Sequence, residues 1–199
     1  MAVKKQISKI LIVSDSHGDL KNYEAVYKLE KPDFVIHAGD YNDWGMGKTP
    51  DVIIPKSYIN KNFDKSILGN HGCSILAKDH PEFIEKYKND YEIFTIADKK
   101  ILLTHSYELL DETHRKNYGE WLDFFNNIKP LRDEQVKDDK IDIVICGHTH
   151  QPKIFKIKNL TIINPGSIAK SRDANGQSYA IGTIKDNDIH FSIKYYKPA

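Results

Sequence analysis

Cysteine is scarce in this chain, and so is any long apolar run. Two cysteines, Cys73 and Cys146, cannot build a disulfide framework, a usage that suits a reducing cytosol. No stretch approaches the roughly 20 apolar residues needed to cross a bilayer. Lysines precede Ile10-Leu11-Ile12-Val13, but that run is too short for the apolar region of a secretory signal and leads straight into Ser14-Asp15-Ser16-His17. The expectation is a cytoplasmic protein with no membrane partner. An excess of one charge is lacking as well. Lys and Arg number 29 against 28 Asp and Glu, so the formal net charge of +1 gives no global field for nucleic acid or an anionic membrane. That balance still permits a local positive site for phosphate.

What is present suits a single domain over residues 1–199, long enough for a substantial core. The run Lys9 to Ser14 reads as a buried strand followed by the loop Asp15-Ser16-His17-Gly18. Asp19 can cap a helix running to about Glu30, with Leu20, Tyr23, Val26, Tyr27 and Leu29 as its apolar stripe and Pro32 beyond its end. Phe34 to Ala38 reads as a second strand stopping at Gly39-Asp40, and strand–helix–strand implies a parallel pair with a right-handed crossover. Ser66-Ile67-Leu68 is a short strand into Gly69-Asn70-His71, Pro81 to Asn89 reads as helical, and Tyr91 to Thr104 as a hairpin ending at His105. Tyr107 to Ile128 has helical spacing and aromatic content, interrupted by Gly119. Ile141 to Cys146 is an apolar strand that stops at Gly147-His148-Thr149-His150. Beyond it, Lys153 to Lys158, Leu160 to Ile163, Ser178 to Ile184 and Ile189 to Tyr195 alternate as an antiparallel meander would.

Five loops share one description: each follows an apolar strand and carries ligand-type side chains. They are Asp15-Ser16-His17, Gly39-Asp40, Gly69-Asn70-His71, His105 and Gly147-His148-Thr149-His150. In open α/β sheets ligands bind beyond the carboxyl ends of strands, so these loops can converge on one site. Asp15, His17, Asp40, Asn70, His105, His148 and His150 exceed what one tetrahedral ion needs and suit two ions sharing a carboxylate. A set of imidazoles, carboxylates and an amide favours borderline transition ions such as Mn, Fe, Ni, Co or Zn, with Mn put first. Two divalent cations against two aspartates leave the site net positive. That attracts a phosphate ester, and two metals about 3.5–4 Å apart suit in-line displacement at phosphorus.

In this order the motifs resemble the calcineurin-like metallophosphoesterases, over Lys9 to about Ser167. The chain's size and its Asn164-Pro165-Gly166-Ser167 turn resemble the compact phosphodiesterase branch of that superfamily. The resemblance implies an α/β fold, a four-layer sandwich of two mixed sheets flanked by helices. It implies one metal held by Asp15, His17, Asp40 and His150, and a second held by Asp40, Asn70, His105 and His148, with Asp40 bridging. His71 takes the place of a histidine that contacts the phosphoryl group and serves as the catalytic acid, although Gly72 and Cys73 stand where an acidic neighbour is common. The implied function is a phosphodiesterase using a hydroxide between the metals for in-line attack on a small-molecule phosphate ester. The same metal core supports phosphomonoesterases and protein phosphatases, and the branch includes a retromer subunit regarded as a scaffold. Monoesterases usually add cationic side chains to grip the dianion. Here Arg115, Arg132 and Arg172 are the only arginines and none lies in a core motif, which favours diesters. Residues 107–140 read as a cap or surface insertion, and Trp44, Trp121, Phe124 and Phe125 as candidates for a homo-oligomer interface or for core packing.

Overall fold

The first apolar run forms β1 (Lys9–Val13) and the second forms β2 (Phe34–His37), parallel in register Ile10 to Phe34 through Val13 to His37. Helix α1 (Leu20–Glu30) joins them, capped by Asp19, whose carboxylate accepts the Lys21 amide at 3.0 Å. These elements belong to a computed structural model that describes residues 7–41, 54, 56–69, 91–105, 140–157 and 159–197. The short helix α2 (Lys56–Asn62) leads into β3 (Lys65–Ser66), which extends the parallel array beside β2. The hairpin β4 (Tyr91–Ile96) and β5 (Lys99–Thr104) is followed by β6 (Ile143–Ile145), β7 (Lys153–Ile157), β8 (Leu160–Asn164), β9 (Gln177–Lys185) and β10 (Asp188–Tyr196).

The strands make two mixed five-stranded sheets, ordered β10-β9-β1-β2-β3 and β4-β5-β6-β8-β7. Alternation along β1 explains the layering. Ile10 and Ile12 face the second sheet and pack with Ile36, Ile101, Leu103, Ile143, Ile145 and Ile163. Leu11 and Val13 face the other way, against Tyr23 and Val26 of α1 and Phe63 after α2. A strand buried on both faces needs an unbroken apolar run, and Ile-Leu-Ile-Val supplies it. The expected α/β sandwich of two mixed sheets is therefore the fold, with α1 and α2 over the first sheet. Segments expected to be helical at 81–89 and 107–128 lie outside the described residues, as do Trp44, Trp121, Phe124 and Phe125. No helix among the described residues is long and apolar enough to cross a membrane.

Two expectations need correction. The four C-terminal strands are not one meander: β7 and β8 pair in the second sheet, while β9 and β10 form a hairpin in the first. Strand alternation records that one face is buried, not which sheet buries it, and the turn after β8 carries the chain across. The stripe on α1 is also narrower than its apolar residues suggest, because Tyr27 and Leu29 are exposed while Asn22 and Glu30 are buried. Asn22 donates to the Ile168 carbonyl at 3.0 Å. Glu30 receives hydrogen bonds from Tyr179 and Lys194, both at 2.8 Å, and pairs with Lys9 at 2.6 Å.

Glu30 thus ties α1 to β1, β9 and β10. Burial disfavours its charge, but Lys194, Lys9 and Tyr179 outweigh that and hold its carboxyl at about 2, below the ordinary 4.5. A depressed carboxyl contributes stability that is present above its unfolded value and lost as pH falls through its folded one. With the half-exposed lysines discounted for solvent screening, Glu30→Gln is expected to cost about 2 kcal/mol at neutral pH. Chemical denaturation at stepped pH should show the gap between wild type and variant closing between about 4.5 and about 2. A gap independent of pH would contradict this account.

Candidate metal centre

Strands β1, β2 and β3 of one sheet and β5 and β6 of the other end at the same place, and their loops meet there. The Asp15 amide donates to the Gly39 carbonyl at 2.9 Å and the His17 amide to the Asp40 carbonyl at 3.0 Å, which joins the first two loops. The Gly147 amide donates to the His105 carbonyl at 3.1 Å, and the Asp40 amide to the Leu68 carbonyl at 2.8 Å. Gly147 leaves room for Asp15, because a Cβ there would fall 2.7 Å from Asp15 Oδ2 and closer still to Ser14 Oγ.

Six of the seven ligand candidates come together in two groups. Asp15, His17 and His150 offer one donor atom each within 4.8 Å of one another, as do Asp40, His105 and His148. Their partition follows the two sets implied by the resemblance, with Asp40 in the second group. Asn70 and the candidate acid His71 lie outside the described residues, as does the segment 107–139. His150 Nε2 is 3.2 Å from Asp15 Oδ1 and 3.0 Å from His17 Nε2, and His105 Nε2 is 3.1 Å from Asp40 Oδ2.

Backbone carbonyls fix two of the rings. Nδ1 of His105 donates to the Ala38 carbonyl and Nδ1 of His150 to the Lys170 carbonyl, each at 2.6 Å. A carbonyl accepts only, so Nδ1 carries a proton, and in its neutral form each ring turns a lone pair on Nε2 into the site. The backbone is strained in the same places. Five of the six residues lie in the left-handed region: Asp15 (φ 54°), His17 (44°), Asp40 (56°), His148 (70°) and His150 (60°). Asp and His tolerate that region better than most residues, yet a cluster of such backbone is a mark of function rather than of fold.

The electrostatics suit a cation. Asp15 Oδ1 and His105 Nε2 are buried and make no hydrogen bond, although Asp15 Oδ1 lies 3.2 Å from His150 Nε2 and His105 Nε2 lies 3.1 Å from Asp40 Oδ2. His105 Nε2 faces two carboxylates and calls for positive charge there, a proton on the ring or a bound cation. Burial opposes protonation of His105, but Asp40 and Asp15 and the Ala38 carbonyl push it up to about 9. Burial likewise disfavours the Asp15 carboxylate, and its histidine neighbours His150 and His105 with Ser14 still hold it at about 2. Nitrogen and carboxylate donors, buried and converging, fit a divalent transition ion.

Supporting side chains are less visible in the sequence. Asn164 donates to the Gly147 carbonyl at 2.8 Å and to Thr149 Oγ1 at 3.1 Å, while its own oxygen accepts the Gly166 amide at 2.8 Å. Ser167 donates to the Asp15 carbonyl at 2.8 Å. The Asn164-Pro165-Gly166-Ser167 segment is therefore more than a turn, since it grips both the first and the last loop. His37, in sequence only one more strand residue, is fully buried beneath the first two loops, and burial pushes it down to about 3.

Two facing sheets thus carry imidazole–carboxylate groups where their parallel strands end, an arrangement suited to divalent metal ions. The chain belongs to the calcineurin-like phosphoesterase superfamily, whose domain matches residues 9–187. It is similar to a probable metallophosphoesterase of Mycoplasma pneumoniae, 26% identical over 191 residues that cover 93% of this chain and 98% of the relative. A phosphodiesterase of Methanocaldococcus jannaschii is 24% identical over 165 residues, covering 79% and 82%. Among solved structures, a predicted phosphoesterase from Streptococcus pneumoniae shares the fold with a TM-score of 0.60 at 22% identity, covering 96% of this chain and 90% of that one. Membership and the names of these relatives support a metal-binding phosphoesterase of the hydrolase type.

Proposed function

We propose that the chain is a metal-dependent phosphodiesterase acting on a small-molecule phosphate ester, with manganese the first candidate metal. The observation that supports it most is the pair of triads at the strand ends, with five of their six residues buried. In this reading Asp15, His17 and His150 hold one divalent ion and Asp40, His105 and His148 the other, with Asp40 shared. Asn70 and His71 follow Gly69 directly in sequence; Asn70 adds an amide ligand and His71 an imidazole for the leaving oxygen. Such a pair of ions, when bound, supplies Lewis acidity to phosphoryl oxygens and a nucleophile at neutral pH. The chain's own residues set the geometry: Ala38 and Lys170 fix two rings, and Asn164 and Ser167 hold the loops that carry them.

Diesters are favoured over monoesters because the sequence places no arginine in a core motif, and the Methanocaldococcus relative bears the name phosphodiesterase. Hydrolysis of an aryl phosphodiester and the matching monoester, assayed in parallel with Mn²⁺, tests the choice. Faster diester cleavage is expected, and a strong monoester preference would overturn it. Acid supplies a second test. Imidazole ligands must be neutral to bind metal, so with metal limiting, bound metal and activity should fall together between about pH 8 and about pH 5. Equal activity at both ends would contradict the metal mechanism.

A further inference from the structure

His37 closes β2 and belongs to neither triad. Its Nδ1 accepts the Gly39 amide at 3.2 Å. That nitrogen must therefore carry the lone pair, and in the neutral ring the proton sits on Nε2, 3.1 Å from Ser16 Oγ. Having accepted from the ring, the Ser16 hydroxyl turns its own hydrogen to the Tyr41 carbonyl at 3.3 Å. One imidazole thus connects the residue between Asp15 and His17 to the backbone on both sides of Asp40. The ring itself has little freedom, with the Tyr41 ring centroid at 4.2 Å and that of Phe63 at 4.8 Å.

The two loops joined in this way carry Asp15, His17 and Asp40, all in left-handed backbone. Such conformations cost about 1–2 kcal/mol each and persist only where the surroundings over-determine them. We infer that His37 is a positioning residue: as its Nε2–H tautomer, and through Ser16, it holds Asp15, His17 and Asp40 in the arrangement that binds metal. This rests on the two-metal reading above.

The test uses the full chain stripped of metal and titrated with Mn²⁺. His37→Phe keeps an aromatic ring between Tyr41 and Phe63 and removes both hydrogen bonds; it should weaken Mn²⁺ binding about 10- to 100-fold. His37→Asn can still accept from the Gly39 amide and should recover part of the loss. Ser16→Ala should reproduce much of it, and adding Ser16→Ala to His37→Phe should weaken binding little further, since both break one chain. Phe63→Leu, which perturbs the same pocket but not the hydrogen bonds, should bind Mn²⁺ as the wild type does. Nitrogen chemical shifts of the metal-free protein should place the His37 proton on Nε2.

Wild-type Mn²⁺ affinity in a folded His37→Phe variant would overturn the inference, as would a proton on Nδ1. If His37→Phe does not fold, Ser16→Ala decides, and unchanged affinity in that variant overturns it. Loss of affinity in Phe63→Leu equal to that in His37→Phe would also overturn it, leaving only a packing role. A wild type that takes up no Mn²⁺ is a different result: the metal reading itself fails, and this inference falls with it.

Discussion

Asp40→Asn is expected to lower phosphoester hydrolysis by about 10³-fold, some 4 kcal/mol of transition-state stabilisation, while the chain stays folded. Asparagine has the shape of aspartate and tolerates the left-handed backbone that Asp40 adopts. What it removes is a full negative charge, buried 3.1 Å from His105 Nε2 and, in the reading proposed above, shared between two cations. A bridging carboxylate has no neutral substitute, because an amide offers one weak oxygen donor and turns N–H groups toward the metal. The measurement is kcat/KM at saturating Mn²⁺, with circular dichroism and the bound-metal count on the same sample. Activity within a few-fold of wild type would mean that Asp40 is not shared in this way.

Gly39→Ala is expected to damage both the fold and the site. Gly39 has φ +95°, and a Cβ there would meet His105 Nδ1 at 2.5 Å and Cγ at 2.8 Å. His105 cannot retreat, since its Nδ1 is already committed to the Ala38 carbonyl. Strain and overpacking together should cost about 4 kcal/mol of stability. Metal binding should suffer as well, because the ring that must move is a candidate ligand. Urea denaturation of metal-free and Mn²⁺-loaded protein separates the two effects. A stability loss in the metal-free form, with a reduced stabilisation by Mn²⁺, is expected; a variant as stable as wild type in both would show that the loop is not packed as described.

Much of the site is legible in the sequence because its chemistry is local. An apolar run that stops at Gly-Asp or Gly-His-Thr-His announces both a buried strand and what stands at its end. The β1–α1–β2 unit is legible for the same reason, with Asp19 as a side-chain cap and Pro32 just past the helix. What the sequence hides depends on contacts distant along the chain. The alternation of β7 to β10 does not say that two hairpins part to different sheets. Seven polar-rich residues of α2 carry too few apolar positions to mark a face. Tyr27 and Leu29 look like core and are not, since Glu30 and Asn22 take the buried places through partners on β9, β10 and the loop after β8. His37 is the clearest omission. Within a strand it looks like any core histidine, and its one signal is its place directly ahead of Ala-Gly-Asp.

The backbone strain and the buried, unbonded donors have one explanation in common. Asp15 Oδ1 and His105 Nε2 point into a space shared by two carboxylates and four imidazoles, held by carbonyls, an asparagine and two serines. An apolar or hydrogen-bonded filling of that space would be cheaper for folding alone. Cations that complete it would account for that cost.

The most direct test of this account is a metal count. Purified protein is equilibrated with excess Mn²⁺, freed of unbound ion, and analysed for metal per chain, alongside His148→Ala and His150→Ala. Two ions per chain are expected for wild type and fewer for each variant, one ion being lost from a different triad in each. A wild type that holds fewer than two ions, or variants that both hold two, would contradict the dinuclear site.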